Sequence, residues 1–346
     1  VLGMARNGVA LTDSFKDSYF QSVVKTLKEN DGVLSSSRYT EYSRTILALT
    51  ALGYDPSNVG GYNLLAPLAD FKAVTKQGVN GAAYALLALD SHGYEIPAVS
   101  DGKTQTTREN LVRFILDKQL AGGGWNFSGT AMDVDMTAMV LQALAPYYKT
   151  NTEVRTAVDT ALALLSDRQD VNGGYASYGD ANSESNAQVL VALTALGIDP
   201  EADARFLKNG HSVVDALCAY YVGEGGFSHV ADGELNGLAT TQAYYALAAY
   251  ARFQNGQTSL YDMSDVTLKA GTVPDDSNGG TTTPGSGSND GQTAGADNGA
   301  GESGKSDAKA TNAVKTGDNA AYLAAGTGFV LAAAAFVVLA KGRKKA

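Results

Sequence analysis

The 346-residue chain is poor in the side chains that most often build metal and redox chemistry, with one cysteine and three histidines. A single cysteine excludes an intrachain disulfide, and His92, His211 and His229 have no ligand spacing, so no metal is assigned. Cys218, in the apolar run DALCAYY, suits a small core residue. Cations are short too: 26 Lys and Arg stand against 36 Asp and Glu, for a net charge of −10. That sign argues against nucleic acid, whose phosphates need Lys and Arg. No stretch alternates polar and apolar residues as a half-buried strand does, which leaves helix as the organising element.

What is abundant is repetition. Gly-Gly-aromatic recurs at Gly123-Gly124-Trp125, Gly173-Gly174-Tyr175 and Gly225-Gly226-Phe227. Ala/Leu-rich segments starting at Tyr39, Gln77, Asp133, Ser183 and Gly237 align without gaps. Two of them end in Leu-Gly-x-Asp-Pro, at Leu52–Pro56 and Leu196–Pro200, where Gly and then Pro stop a helix. These segments are apolar nearly all round, as buried helices are. Phe15–Lys28, Arg108–Gln119 and Thr152–Gln169 are amphipathic instead, and Thr150 with Glu153 reads as a capping box for the last of them. Buried helices alternating with half-exposed ones predict an all-α fold over residues 1–270, closed into an (α/α) toroid because Ala-rich helices crowd around an axis.

The Gly-Gly-aromatic loops after Lys118-Gln119 and Arg168-Gln169 resemble the repeats of the prenyltransferase/squalene-cyclase superfamily. Asp133-Val134-Asp135-Met136-Thr137-Ala138 is similar to the Asp-x-Asp-Asp-Thr-Ala segment of class II terpene cyclases, and also to the α-domain of the transcobalamin family. The cyclase resemblance implies Asp135 as general acid beside Asp133, but the next acidic position is Met136, and Trp125 is the one tryptophan for stabilising carbocations. Zinc ligands of the prenyltransferase branch, and the Cys-Gly-Glu-Gln run of thioester toroids, are missing. Polysaccharide-cleaving toroids use paired carboxylates, for which Glu41, Asp135 and Glu184 qualify, with Trp125 as a stacking platform. The transcobalamin resemblance implies capture of a cobalamin-like corrinoid, clamped by a β-rich domain that this sequence does not contain.

In a toroid the N-termini of the inner helices gather at one rim. That rim is expected to carry Thr40, Glu41, Asn80, Asp133, Asp135, Glu184, Asn186, Gln188, Thr240, Thr241 and Gln242. Trp125, Tyr175 and Phe227 are expected on the approach to it. Helix N-termini favour the carboxylates, for which capping is the alternative role. Asp180–Glu184 lacks the spacing of a Ca²⁺ loop and reads as a polar helix start. An amide- and hydroxyl-rich rim suits a non-catalytic role, capturing a cobalamin-like or glycan ligand.

Residues 271–312 are mostly Gly, Ser, Thr, Asn, Asp and Ala with almost no large apolar residue, too polar to fold, and read as a stalk. Residues 320–340 are uncharged and apolar, long enough to span a bilayer as a helix, and Lys341, Arg343, Lys344 and Lys345 follow. This layout over 313–346 resembles the sortase sorting signal of Gram-positive surface proteins. Lys315, Thr316, Gly317 and Asp318 match the family motif, while Ala313 and Val314 replace its Leu-Pro. The resemblance implies display outside a Gram-positive cell, with sortase, the cell wall and the membrane as partners; a plain membrane anchor is the alternative. Such export needs an N-terminal signal, so sequence upstream of Val1, with a further domain, is expected.

Overall fold

The computed structural model describes residues 1–272 except Glu224. The stalk beyond residue 272, the sorting motif at Lys315, Thr316 and Gly317, and the apolar run 320–340 lie outside the described residues. Among the described residues no helix is long and apolar enough to cross a membrane.

The fold is all-α. Its helices are α1 (Leu2–Arg6), α2 (Asp13–Glu29), α3 (Thr40–Ala51), α4 (Phe71–Val74), α5 (Gly78–Asp90), α6 (Arg108–Asp117), α7 (Val134–Leu144), α8 (Thr152–Arg168), α9 (Ser183–Ala195), α10 (Val213–Cys218) and α11 (Gly237–Gln254). A hairpin of β1 (Ala176–Ser177) and β2 (Asp180–Ala181) precedes α9. The five segments aligned in the sequence are α3, α5, α7, α9 and α11, each starting within one residue of its expected position. They are the buried helices: every residue of α9 from Ser183 to Thr194 is inside.

Each buried helix lies against the next, α3 on α5, α5 on α7, α7 on α9 and α9 on α11. The short α1, which the sequence did not announce, touches both α11 and α3, so the succession of neighbours returns to its start. The half-exposed α6, α8 and α10 back α5, α7 and α9 respectively. One apolar cluster runs through all of them, from Phe20 to Met263.

The helix starts follow local chemistry. Asn151, not the expected Thr150–Glu153 box, caps α8: its extended backbone lets Oδ1 accept from Glu153 N (3.0 Å) and Val154 N (3.1 Å). Thr150 stands one residue outside that turn and donates to Tyr147 O instead.

After α11 the chain runs as a strap across the start of the fold. Arg6, buried in α1, donates to Asp265 Oδ1 (2.8 Å), Thr258 Oγ1 and the carbonyls of Ser259, Leu260 and Asp262. Arg252 of α11 holds the other oxygen of Asp265 at 2.6 Å and the Arg6 carbonyl at 3.2 Å. Two buried guanidiniums are tolerated because their donors are met by acceptors and one carboxylate is shared. Further on, Met263 N donates to Ser91 O, Lys269 N to Gly53 O, and Asp55 N to Lys269 O.

Candidate functional site

The Gly-Gly-aromatic loops perform the same local task three times. Trp125 N donates to Thr137 Oγ1 (2.9 Å), Tyr175 N to Asn186 Oδ1 (2.8 Å) and Phe227 N to Thr240 Oγ1 (2.9 Å). Each acceptor stands four residues after the N-cap of the following buried helix, those caps being Asp133, Asn182 and Asn236. The cap's own N–H donates back to the carbonyl of the aromatic residue, at 2.9, 3.3 and 2.9 Å respectively. The second glycine makes the approach possible: a Cβ at Gly226 would meet Leu235 Cδ1 at 2.1 Å and Thr240 Oγ1 at 2.8 Å.

This clasp decides where the aromatic side chains go. Trp125 and Phe227 are fully buried and Tyr175 nearly so. Trp125 also donates its indole N–H to Ile115 O (2.8 Å), and Phe227 packs edge-on against Tyr221 and Tyr244. The structure places these three rings as pegs beneath the loops and not on the approach to a rim, because the hydrogen-bonded backbone turns them inward. Asn186, also fully buried, is part of the clasp and not of a rim.

The expected carboxylates do meet, at the adjoining starts of α7 and α9. Asp133 caps α7 through Oδ1, accepting from Met136 N (2.8 Å), and accepts the Ser177 hydroxyl through Oδ2 (2.5 Å). Glu184, buried in the first turn of α9, pairs with His229 Nδ1 (2.8 Å) and accepts from Ser183 Oγ (3.2 Å). Asp135 Oδ1 is buried with no hydrogen-bond partner. Burial pushes the Asp135 carboxyl up to about 6; Asp133 and Glu184 add to the rise, while Ser185 and His229 oppose it. Asp135 is therefore protonated in mildly acidic solution. Among the described residues no three His, Cys, Asp or Glu side chains could hold a metal ion.

A turn deeper, a polar ladder joins three buried helices. Gln142 of α7 donates to Gln188 O and Oε1 on α9 (3.0 and 2.9 Å). Gln188 Nε2 reaches Gln242 Oε1 (2.8 Å) and Tyr245 Oη (2.5 Å) on α11. Gln142 Oε1 is buried and unmatched. The Tyr245 hydroxyl is held well above its ordinary pKa by burial, with Tyr261 and Tyr84 raising it further and Arg44 opposing. Side chains from α3, α5, α11 and the strap thus act on one another across the interior.

The other expected residues are spread around these groups. Glu41 and Asn80 are half-buried in the first turns of α3 and α5. Thr241 is exposed and its hydroxyl donates to Gly237 O (2.8 Å). Thr40 is buried and its N–H donates to Gln77 Oε1. Ser177, Ser185, Gln142, Tyr245 and His229 complete the cluster and the ladder without having been singled out in the sequence. At the opposite ends of α7, α9 and α11 a cleft of about 490 Å³, walled by Pro146, Tyr148, Leu196 and Phe253, contains none of the expected residues. Compared with protein-family models and with curated proteins, the chain matches none.

Proposed function

We propose that residues 1–270 form an (α/α) toroid of the prenyltransferase/squalene-cyclase-like kind, displayed outside a Gram-positive cell, which captures a ligand at the inner-helix N-termini without transforming it. The closed succession of contacts from α1 through α11 supports the toroid. The observation that carries the binding role is the Gln142–Gln188–Gln242–Tyr245 ladder, with its spare acceptor at Gln142 Oε1. Neutral amides and phenols are the groups that fix a large neutral ligand by several hydrogen bonds. A corrinoid edged by amides and a glycan both have that chemistry. The tail resembling a sorting signal supplies the address, with sortase and the wall as partners if Thr316 is the cleavage point.

Calorimetric titration of the purified chain with cyanocobalamin and with a panel of neutral oligosaccharides tests this reading. Saturable binding that Gln188→Ala weakens about tenfold, the loss expected from removing hydrogen bonds at a buried site, supports it. Absence of binding across both classes removes it. Wall fragments ending in Thr316 would establish the covalent anchor, and intact chain in the membrane fraction alone would refute it.

One observation favours a second reading. Asp135, buried beside Asp133 and Glu184, keeps its proton up to about pH 6 and so can give one up as a general acid, although the raised pKa makes it a weaker donor than alkene protonation demands. Terpene-cyclase-type chemistry is tested by incubation with squalene-like substrates; turnover abolished by Asp135→Asn would establish the enzyme and displace the binding role.

A further inference from the structure

The loops that open the second half of the fold expose apolar side chains that a core ordinarily keeps. Phe127 is 53 % exposed, Tyr178 85 %, Val230 40 %, Leu235 53 % and Leu238 58 %. All lie between a buried aromatic peg and the first turn of the helix it clasps: Phe127 after Trp125, Tyr178 after Tyr175, the others after Phe227. The loops are stitched side by side. Ser177 in one bonds Asp133 at the start of α7, and the His229 carbonyl in the next accepts from Ser183 N at the start of α9 (3.0 Å). The helices these loops precede pack as neighbours, and packed helices stand about 8–10 Å apart, roughly the length of two linked pyranose rings.

Tyr178 is the most exposed of them and the least comfortable. It occupies the left-handed region at φ 54°, followed by Gly179 at φ 98°, in the turn between β1 and β2. A bulky residue is strained there, where Asn or Gly is the usual occupant. No burial recovers that strain, and strain kept at an exposed ring marks a position held for contact with something else.

Charge selects the occupant. Asp133, Asp135 and Glu184 stand at the adjoining helix starts, Asp180, Asp232 and Glu234 lie on the loops, and residues 126–133, 176–182 and 228–236 hold no Lys or Arg. Such a rim repels polyanions. It suits a neutral polyol, which lays its C–H faces on aromatic rings and gives its hydroxyl hydrogens to carboxylates. We propose that these loops hold a neutral polysaccharide across the starts of α7, α9 and α11, with Phe127 and Tyr178 as its stacking faces. The inference rests on the reading of this end of the fold as ligand-binding, and makes the ligand a polymer lying on the rim.

The test is calorimetric titration of the full 346-residue chain with hexasaccharides of β-linked glucose and of N-acetylglucosamine, and with polygalacturonate as the anionic control. Saturable binding of a neutral hexasaccharide is expected, weakened about tenfold or more by Tyr178→Ala and within about twofold by Tyr178→Phe, as loss and retention of one stacking face require. Tyr178→Gly, which keeps the turn, is expected to match Tyr178→Ala. Unchanged affinity in the Phe127→Ala, Tyr178→Ala double variant overturns the proposal, as does binding of polygalacturonate in preference to both neutral sugars. A small ligand that responds to Gln188→Ala but not to either rim variant, with no hexasaccharide bound, leaves axial capture standing and removes the rim site.

Discussion

The two halves of the helix array begin their buried helices differently. In the first, α3 and α5 start at Tyr39 and Gln77 with no side-chain cap. Side chains other than caps tie the approach to α3, with Thr40 N donating to Gln77 Oε1 (3.1 Å) and Leu34 N to the Tyr42 hydroxyl (3.0 Å). In the second, α7, α9 and α11 each carry a capping side chain and a Gly-Gly-aromatic clasp. Both halves nonetheless share one core. Packing of buried helices therefore needs only their apolar character, whereas clasps and caps fix the loops. The fixed loops are the ones that gather carboxylates and expose aromatic rings.

The largest effect that would break this contrast is at a peg. Trp125→Ala is expected to cost about 3–5 kcal/mol, from the cavity and the lost indole hydrogen bond to Ile115 O. Denaturant unfolding measures it, and a loss under 1 kcal/mol would mean that the clasp is ornamental. Next comes Asp135. Its folded pKa, about 6, lies above the ordinary 3.8, so the folded state binds a proton that the unfolded state has released. Stability should fall as pH rises from about 4 to 6 and stay lower above, by on the order of 2–3 kcal/mol. Asp135→Asn should flatten that slope and be more stable than the parent at neutral pH; parallel pH profiles would show that the carboxyl is not desolvated. Smaller again, Asn236→Ala should cost about 1 kcal/mol through its cap, with Tyr39→Ala at the uncapped start of α3 as the contrasting case, losing packing but no cap. Smallest, Tyr178→Gly should raise stability by at most about 1 kcal/mol through relief of the left-handed backbone. A fall in melting temperature would show that the ring is anchored after all.

Much of the fold is legible in the sequence because helix periodicity and Gly/Pro stops are local signals. The five aligned segments begin within a residue of α3, α5, α7, α9 and α11. α1 is not legible: Leu2–Arg6 is too short to show a period, and it is helical because α11 and α3 cover it. The carboxylates Asp133, Asp135 and Glu184 could be picked out because helix starts collect acids. Their different duties could not, since these depend on Ser177 and His229 reaching over from other loops. The aromatic pegs misled for the same reason. A ring beside two glycines reads as a displayed platform until the N–H bond to a residue on the next helix is known. Gln188 and Gln242 stand out as amides among Ala and Leu, but Gln142 and Tyr245 join them only through a register between helices that no single segment encodes.

The strap also has a mechanical meaning. Any chain that continues past residue 272 delivers its tension first to the Thr272 carbonyl, held by Gln21 Nε2 at 2.6 Å, and then to the Lys269 ties with Gly53 and Asp55. Asp265 comes next, gripped at once by Arg6 and Arg252 from the two ends of the array, and Met263 on Ser91 follows. A pull from that side therefore tightens a knot-like anchor at the seam before it reaches α9 or the loops ahead of it. The seam is the first part to take the load, and the Gly-Gly-aromatic loops, on the far side of the helices' hydrogen-bonded length, are the last to feel it.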